Sequence, residues 1–293
     1  MSPFFALLMV ATLAYGIQIP LLARYARRMD ALTVTIYRNA TLAFTMLPVL
    51  YFVPAAEFKA LINYLPYIAA SGVLGAGSFV LNMASATYLP FAISQSFRQA
   101  SSILAAVLFG ILFFSEILTM WQIILIVLIL AATLMLTLSK PDVTHLREQN
   151  VARGICISLL GGIIWAASVM FFTTAARGSS PVAAGYFLEL SVGVFALAFA
   201  FARWLFSRKT IALLAPREIG AIAAISSTAI IGTLCYAYAV NYGPYALAAA
   251  LLSLTGVIAL AAGHLIFGEK LSKLQIGIIL FIIGIVFILQ LLQ

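Results

Sequence analysis

Charge is what this chain has least of. Of its 293 residues only 8% are charged, against 65% hydrophobic, and the mean hydropathy is +1.15. That shortage excludes a soluble domain, because 16 bases and 8 acids give too little polar cover for so much apolar surface. The solvent must be lipid. Histidine and cysteine are scarce too, with two of each. No cysteine–histidine cluster with metal-ligand spacing is present, and no phosphate loop or other catalytic pattern. The chain therefore reads as no enzyme, with no metal and no cofactor. Cys156 and Cys235 both fall inside apolar runs and read as buried free thiols, which say nothing about redox compartment. A cleavable leader is not expected either, since the first charge, Arg24, follows the first apolar run.

What is present is a series of long apolar runs. A span needs about 20 apolar residues at 1.5 Å rise each. Ten runs meet that length: 3–23, 31–53, 64–86, 91–115, 120–139, 154–175, 182–206, 219–240, 245–267 and 274–292. Most linkers between them are short. The longest polar one, 140–153, divides the chain into halves at 1–139 and 154–293, and no fold is assigned to it. The net charge of +8 does not point to nucleic acid, because the bases sit in small clusters between the runs.

The halves repeat each other. Tyr88, Pro90 and Ala92 match Tyr242, Pro244 and Ala246 at an offset of 154. Glu116, Leu118, Gln122 and Ile123 match Glu269, Leu271, Gln275 and Ile276 at an offset of 153. A self-match at about half the length of an apolar chain points to a transporter. Five spans per half is an odd number, so the two halves must enter the membrane in opposite directions, as inverted repeats. Loops after the odd-numbered spans carry twelve bases, among them Arg24, Arg27, Arg28, Lys140, Arg153, Arg208 and Lys273. The opposite loops carry only Lys59 and Arg177. The positive-inside rule then puts the twelve in the cytoplasm and both termini on the other side of the plasma (bacterial inner) membrane.

Ten spans, the inverted five-plus-five repeat and the Glu-x-Leu-Ser/Thr-x-x-Gln pattern at Glu116 and Glu269 resemble the drug/metabolite transporter superfamily, EamA type. Tyr15-Gly16 and Trp165-Ala166 stand where that family often has Trp-Gly, and Arg38 matches an arginine common in its second helix. The resemblance implies an all-α membrane protein of ten helices around a cavity lined mainly by helices one, three, four, six, eight and nine. It also implies transport of a small molecule, usually export. The second half has Leu188 near the place of Arg38, with Glu189 beside it.

Arg98 is the sharpest candidate for ligand contact. It lies about 10 Å along the fourth span from Phe91. A guanidinium at such depth costs at least about 2.5 kcal/mol and must meet a partner or water. Ser94, Gln95, Arg98, Ser101 and Ser102 recur at three-to-four spacing, and Gln99 widens this polar stripe. The aligned positions in span nine are Ala248, Ala249, Leu252, Thr255 and Gly256, so the stripe is not repeated. Arginine grips carboxylate or phosphate through two parallel hydrogen bonds. The alternatives are that Arg98 snorkels, or pairs with Glu189 for structure alone.

Arg38 and Glu189 are the other charges within spans. Arg38 reads as structural. Glu189 stays open between an ion pair and a protonatable coupling site, or one that takes an amine. Tyr15, Trp165, Tyr236 and Tyr238 are candidates to stack on a ligand or surround an organic cation. Gln18 and Asn82 are candidate ligand hydrogen-bonders, with helix-to-helix bonding as the alternative. Glu116 and Glu269 each precede a helix start and read as local partners of the helix dipole. His264 is not expected to relay protons. The expected molecule is thus a monomeric carrier of a small metabolite, foremost an amino acid or related carboxylate. Carriage of organic cations through Glu189 is the alternative, with a channel or an intramembrane enzyme behind it.

The charge bias makes a direct prediction. A cysteine placed in the 140–153 linker should be shielded from impermeant thiol reagents in intact cells, and one placed at Ser2 should be labelled. The reverse pattern would overturn the orientation.

Overall fold

The computed structural model describes residues 2–138 and 148–267, together with 273, 274, 276–278, 280, 281 and 284. Residue 139, residues 140–147 of the expected linker, Glu269 and most of the expected tenth span lie outside the described residues, as does the side chain of His264. The described residues form helices and no strand. The helices are α1 (Pro3–Ala26), α2 (Ala31–Met46), α3 (Ala55–Ile62), α4 (Leu65–Tyr88), α5 (Phe91–Phe114) and α6 (Met120–Leu138). They continue with α7 (Glu148–Gly178), α8 (Pro181–Ser207), α9 (Pro216–Ala239), α10 (Tyr245–Leu252) and α11 (Thr255–Phe267). Among these residues, α1, α4, α5, α7, α8 and α9 are long and apolar enough to cross a membrane.

Three boundaries differ from the sequence expectation. The run 31–53 is not one helix: α2 stops at Met46, and Leu47–Phe52 winds as a 3-10 helix with Pro48 in its first turn. Helix α7 begins at Glu148, so the end of the polar linker is already helical. The run 245–267 breaks at Ser253–Leu254, where Gly256 N–H and Val257 N–H bond the carbonyls three residues back. Ser253 Oγ also donates to the Ala250 carbonyl, and back-bonding of this kind bends helices. Large apolar side chains such as Phe44, Leu112, Ile117 and Trp121 stand fully or mostly exposed on the outer surface, as lipid-facing residues do. Cys156 is exposed rather than buried, and Cys235 half-buried: an apolar run seen in sequence faces lipid as often as protein.

Packing follows the repeat. Helix α1 lies along α9, and α4 lies along α7, so the first long helix of each half packs on the third long helix of the other. Small residues allow it, as they do between helices in lipid. Ser71 Oγ donates to the Ser168 carbonyl at 2.7 Å, Ser168 Oγ returns a bond to the Ser71 carbonyl at 2.8 Å, and Ser78 Oγ donates to the Gly161 carbonyl at 2.8 Å. Two apolar clusters occupy opposite ends of the bundle. One contains Phe5, Ile103, Phe172 and Tyr245, the other Leu22, Phe79, Met83 and Phe91. A cavity lies between them.

Glu116 corrects a sequence reading. Its carboxylate does sit at the positive end of a helix dipole, but not that of the helix next to it in sequence. It accepts from the backbone N–H groups of Tyr245 and Ala246, at the start of α10 in the other half. Arg177, 3.6 Å away, donates to the Val240 and Gly243 carbonyls at 2.8 and 2.9 Å and completes the knot. Glu116→Ala should leave those amides without acceptors and cost roughly 1–3 kcal/mol, with Glu116→Gln in between. Thermal melting of the purified protein in detergent checks both; equal melting of Glu116→Ala and wild type would show the knot to be idle.

Candidate functional site

Nine of the described helices line the cavity, and sequence reading had placed most of its polar groups. Tyr15 and Gln18 of α1, Asn82 of α4, Arg98 and Gln99 of α5 and Trp165 of α7 all line it. So do Arg38 of α2 and Glu189 of α8, so the second long helix of each half contributes alongside those the family resemblance implied. Two candidates fall elsewhere. Tyr238 is 41% exposed on the outside of the bundle, because two residues along a helix from the cavity-facing Tyr236 is more than half a turn. Gln95 is buried against α4, where its Nε2 donates to Asn82 Oδ1 at 2.6 Å.

Arg38 and Glu189 hold each other. Arg38 Nη1 and Nη2 donate to Glu189 Oε2 and Oε1, the second at 3.3 Å. Arg38 Nη1 also reaches Asn39 Oδ1, and its guanidinium lies 5.0 Å from the centre of the Phe79 ring. Glu189 Oε1 accepts a third bond from Thr233 Oγ1 at 2.8 Å, and that hydroxyl shares a 2.7 Å bond with Tyr15 OH. The chain Arg38–Glu189–Thr233–Tyr15 thus ties α2, α8, α9 and α1 together. Glu189 is therefore engaged on both oxygens rather than open to an amine. Sequence reading missed Thr233 and Phe79, since a threonine or phenylalanine within an apolar run carries no signal by itself.

Arg98 is different. It is 4% exposed, and among the described residues no carboxylate pairs with it and no hydrogen bond leaves its guanidinium. Its Cζ lies 5.0 Å from the centre of the Trp165 ring. A desolvated cation–π contact is worth about 2 kcal/mol or more, against a cost of at least about 2.5 kcal/mol for an arginine at such depth. It brings no negative charge to neutralise the guanidinium. The position is fixed by backbone contact: Gly162 of α7 sits against the Arg98 carbonyl and Ser101 Oγ, where any Cβ would collide.

The rest of the polar stripe divides. Ser94 bonds Ser85 of the neighbouring α4, and Ser101 Oγ donates back to the Arg98 carbonyl of its own helix. Gln99 and Ser102 line the cavity with Arg98, and Gln99 Nε2 donates across to Thr255 Oγ1 at 2.7 Å. That bond lands just after the break between α10 and α11. Leu252, at the sequence position matching Arg98, also lines the cavity. One half therefore offers a cation and the other a leucine.

The two cavity charges that pair make a stability prediction. Glu189→Gln should strand the Arg38 guanidinium and cost roughly 3–5 kcal/mol, whereas Arg38→Met with Glu189→Met should cost much less. Melting temperatures of the single and double variants decide it; a double variant worse than the single would show that the pair itself stabilises the fold.

Comparison with known proteins agrees with this architecture. The model of the EamA-like transporter family matches the chain twice, at residues 3–138 and 152–290. No curated protein matches the sequence. Among solved structures, one described only as a crystal structure of protein superposes with a TM-score of 0.73 over 99% of this chain and 96% of that one. At 15% identity that likeness speaks for the fold alone. Two copies of one family unit cover nearly the whole chain, and the chain belongs to the EamA-like transporter family, as a multi-pass membrane transporter of the drug/metabolite type.

Proposed function

We propose that this protein is a secondary transporter, working as an exporter or exchanger, of a small polar metabolite that carries a carboxylate: an amino acid or a related zwitterion or plain carboxylate. One observation carries the reading. Arg98 is a buried cation at the cavity wall with no acid to neutralise it among the described residues, while the other two cavity charges cancel. A carboxylate that accepts two parallel bonds from the guanidinium supplies the missing charge. Transport runs by alternating access in a monomer of ten spans, with the two inverted halves moving about the cavity. Both termini lie outside the cytoplasm. The contact of α1 with α9 and of α4 with α7 supports the two-repeat arrangement, because each half grips the other through equivalent elements.

Flux into liposomes holding the purified protein tests the proposal. Arg98→Ala should lower uptake of the carboxylate compound about 30-fold or more, on the scale of ~2–5 kcal/mol for removing one member of a buried charge pair. Arg98→Lys keeps the charge but loses the planar fork, and should fall between the two. Wild-type flux in Arg98→Ala, at equal protein per vesicle, ends the reading.

A further inference from the structure

The proposed function leaves two kinds of carboxylate open, a zwitterion and a plain anion. Resting on that reading, we infer that the cavity selects a monoanion with a flat aromatic body and no ammonium group. A des-amino aromatic carboxylate fits it better than an amino acid does.

The charges come first. Arg38 and Glu189 sum to zero, and Arg98 remains, so among the described residues the cavity carries one excess positive charge. A monoanion cancels it. A zwitterion brings its own cation along and leaves the excess unchanged. An ammonium group also needs acceptors to replace its water shell, because a buried charge without hydrogen bonds is costly. Several of the cavity's acceptors are already engaged. Glu189 takes three donors, Asn82 Oδ1 takes the amide of Gln95, and Thr255 Oγ1 takes that of Gln99. Donors for a carboxylate are at hand in the guanidinium itself, with Ser102 on the same helix face.

The walls come second. Trp165 lies under Arg98, and Phe172 and Tyr236 stack at 6.0 Å with 24° between their planes. Phe79 and Leu252 close further sides. A carboxylate on Arg98 therefore points the rest of its molecule among rings. The space open to the centres of water molecules is about 60 Å³. That is several times the ~10–15 Å³ that one water needs.

The test is a ligand series on the unmodified protein in detergent, read by thermal shift and by displacement titration. The probes are 3-phenylpropanoate, L-phenylalanine, 2-phenylethylamine and hexanoate. The expected result is stabilisation by 3-phenylpropanoate, binding at least tenfold tighter than L-phenylalanine or hexanoate, and none by 2-phenylethylamine. L-Phenylalanine binding as tightly as 3-phenylpropanoate overturns the inference, as does binding of the amine. Binding by hexanoate at the same strength overturns its aromatic part, and binding by none of the four overturns it whole. Arg98→Gln separates this from the function proposed above. If L-phenylalanine binds equally well and the variant loses both ligands, the Arg98 site stands and the selectivity is wrong. If 3-phenylpropanoate binds the variant as it binds wild type, the Arg98 site itself is wrong.

Discussion

An ionised group removed from water must be neutralised, and inside a bundle that lipid surrounds no solvent is near to do it. Arg38 and Glu189 meet this demand with each other. Their bond joins the two halves at the centre and draws Thr233 and Tyr15 into one network. Because those partners come from four helices, the pair sets how the helices lie around the cavity. It also leaves Arg98 as the single uncancelled charge there among the described residues. The site's chemistry is thus what remains after the scaffold has satisfied itself.

The repeat supplies the frame and its divergence supplies the site. Both halves use small residues to bring helices close, and both begin their fourth span after a proline. On this common backbone, α5 carries Arg98 and Gln99 in an unbroken helix. Its counterpart carries Leu252 and Ser253 and breaks there into α10 and α11. Gln99 bridges to Thr255 across that break. Turns with tightened, three-residue hydrogen bonds within helices often mark hinges. Here one lies against the cavity, beside the bond from Gln99 to Thr255.

The knot of Glu116 and Arg177 shows the same economy at one end of the bundle. A carboxylate from the α5–α6 connection fixes the start of a helix in the opposite half, so the halves are latched at that end. An acid conserved in spacing between the two halves of one sequence looked local, because spacing along a chain carries no information about which helix end lies nearby in space.

Sequence by itself determined the class of molecule. Scarce charge and long apolar runs require lipid as solvent, and matched residues at an offset of 153–154 require two copies of one unit. It also marked Arg98, Arg38 and Glu189, because a charge within an apolar run stands out against a known cost. Tertiary structure alone decided what those charges do. That Arg38 meets Glu189 across 151 positions, while Arg98 meets only a tryptophan ring, depends on how helices rotate and cross. The same rotation turned Tyr236 inward and Tyr238 outward, though both are tyrosines in one apolar run. Helix orientation is set by the summed packing of small side chains such as Gly162, Ser71 and Ser168, each too ordinary in sequence to announce its partner.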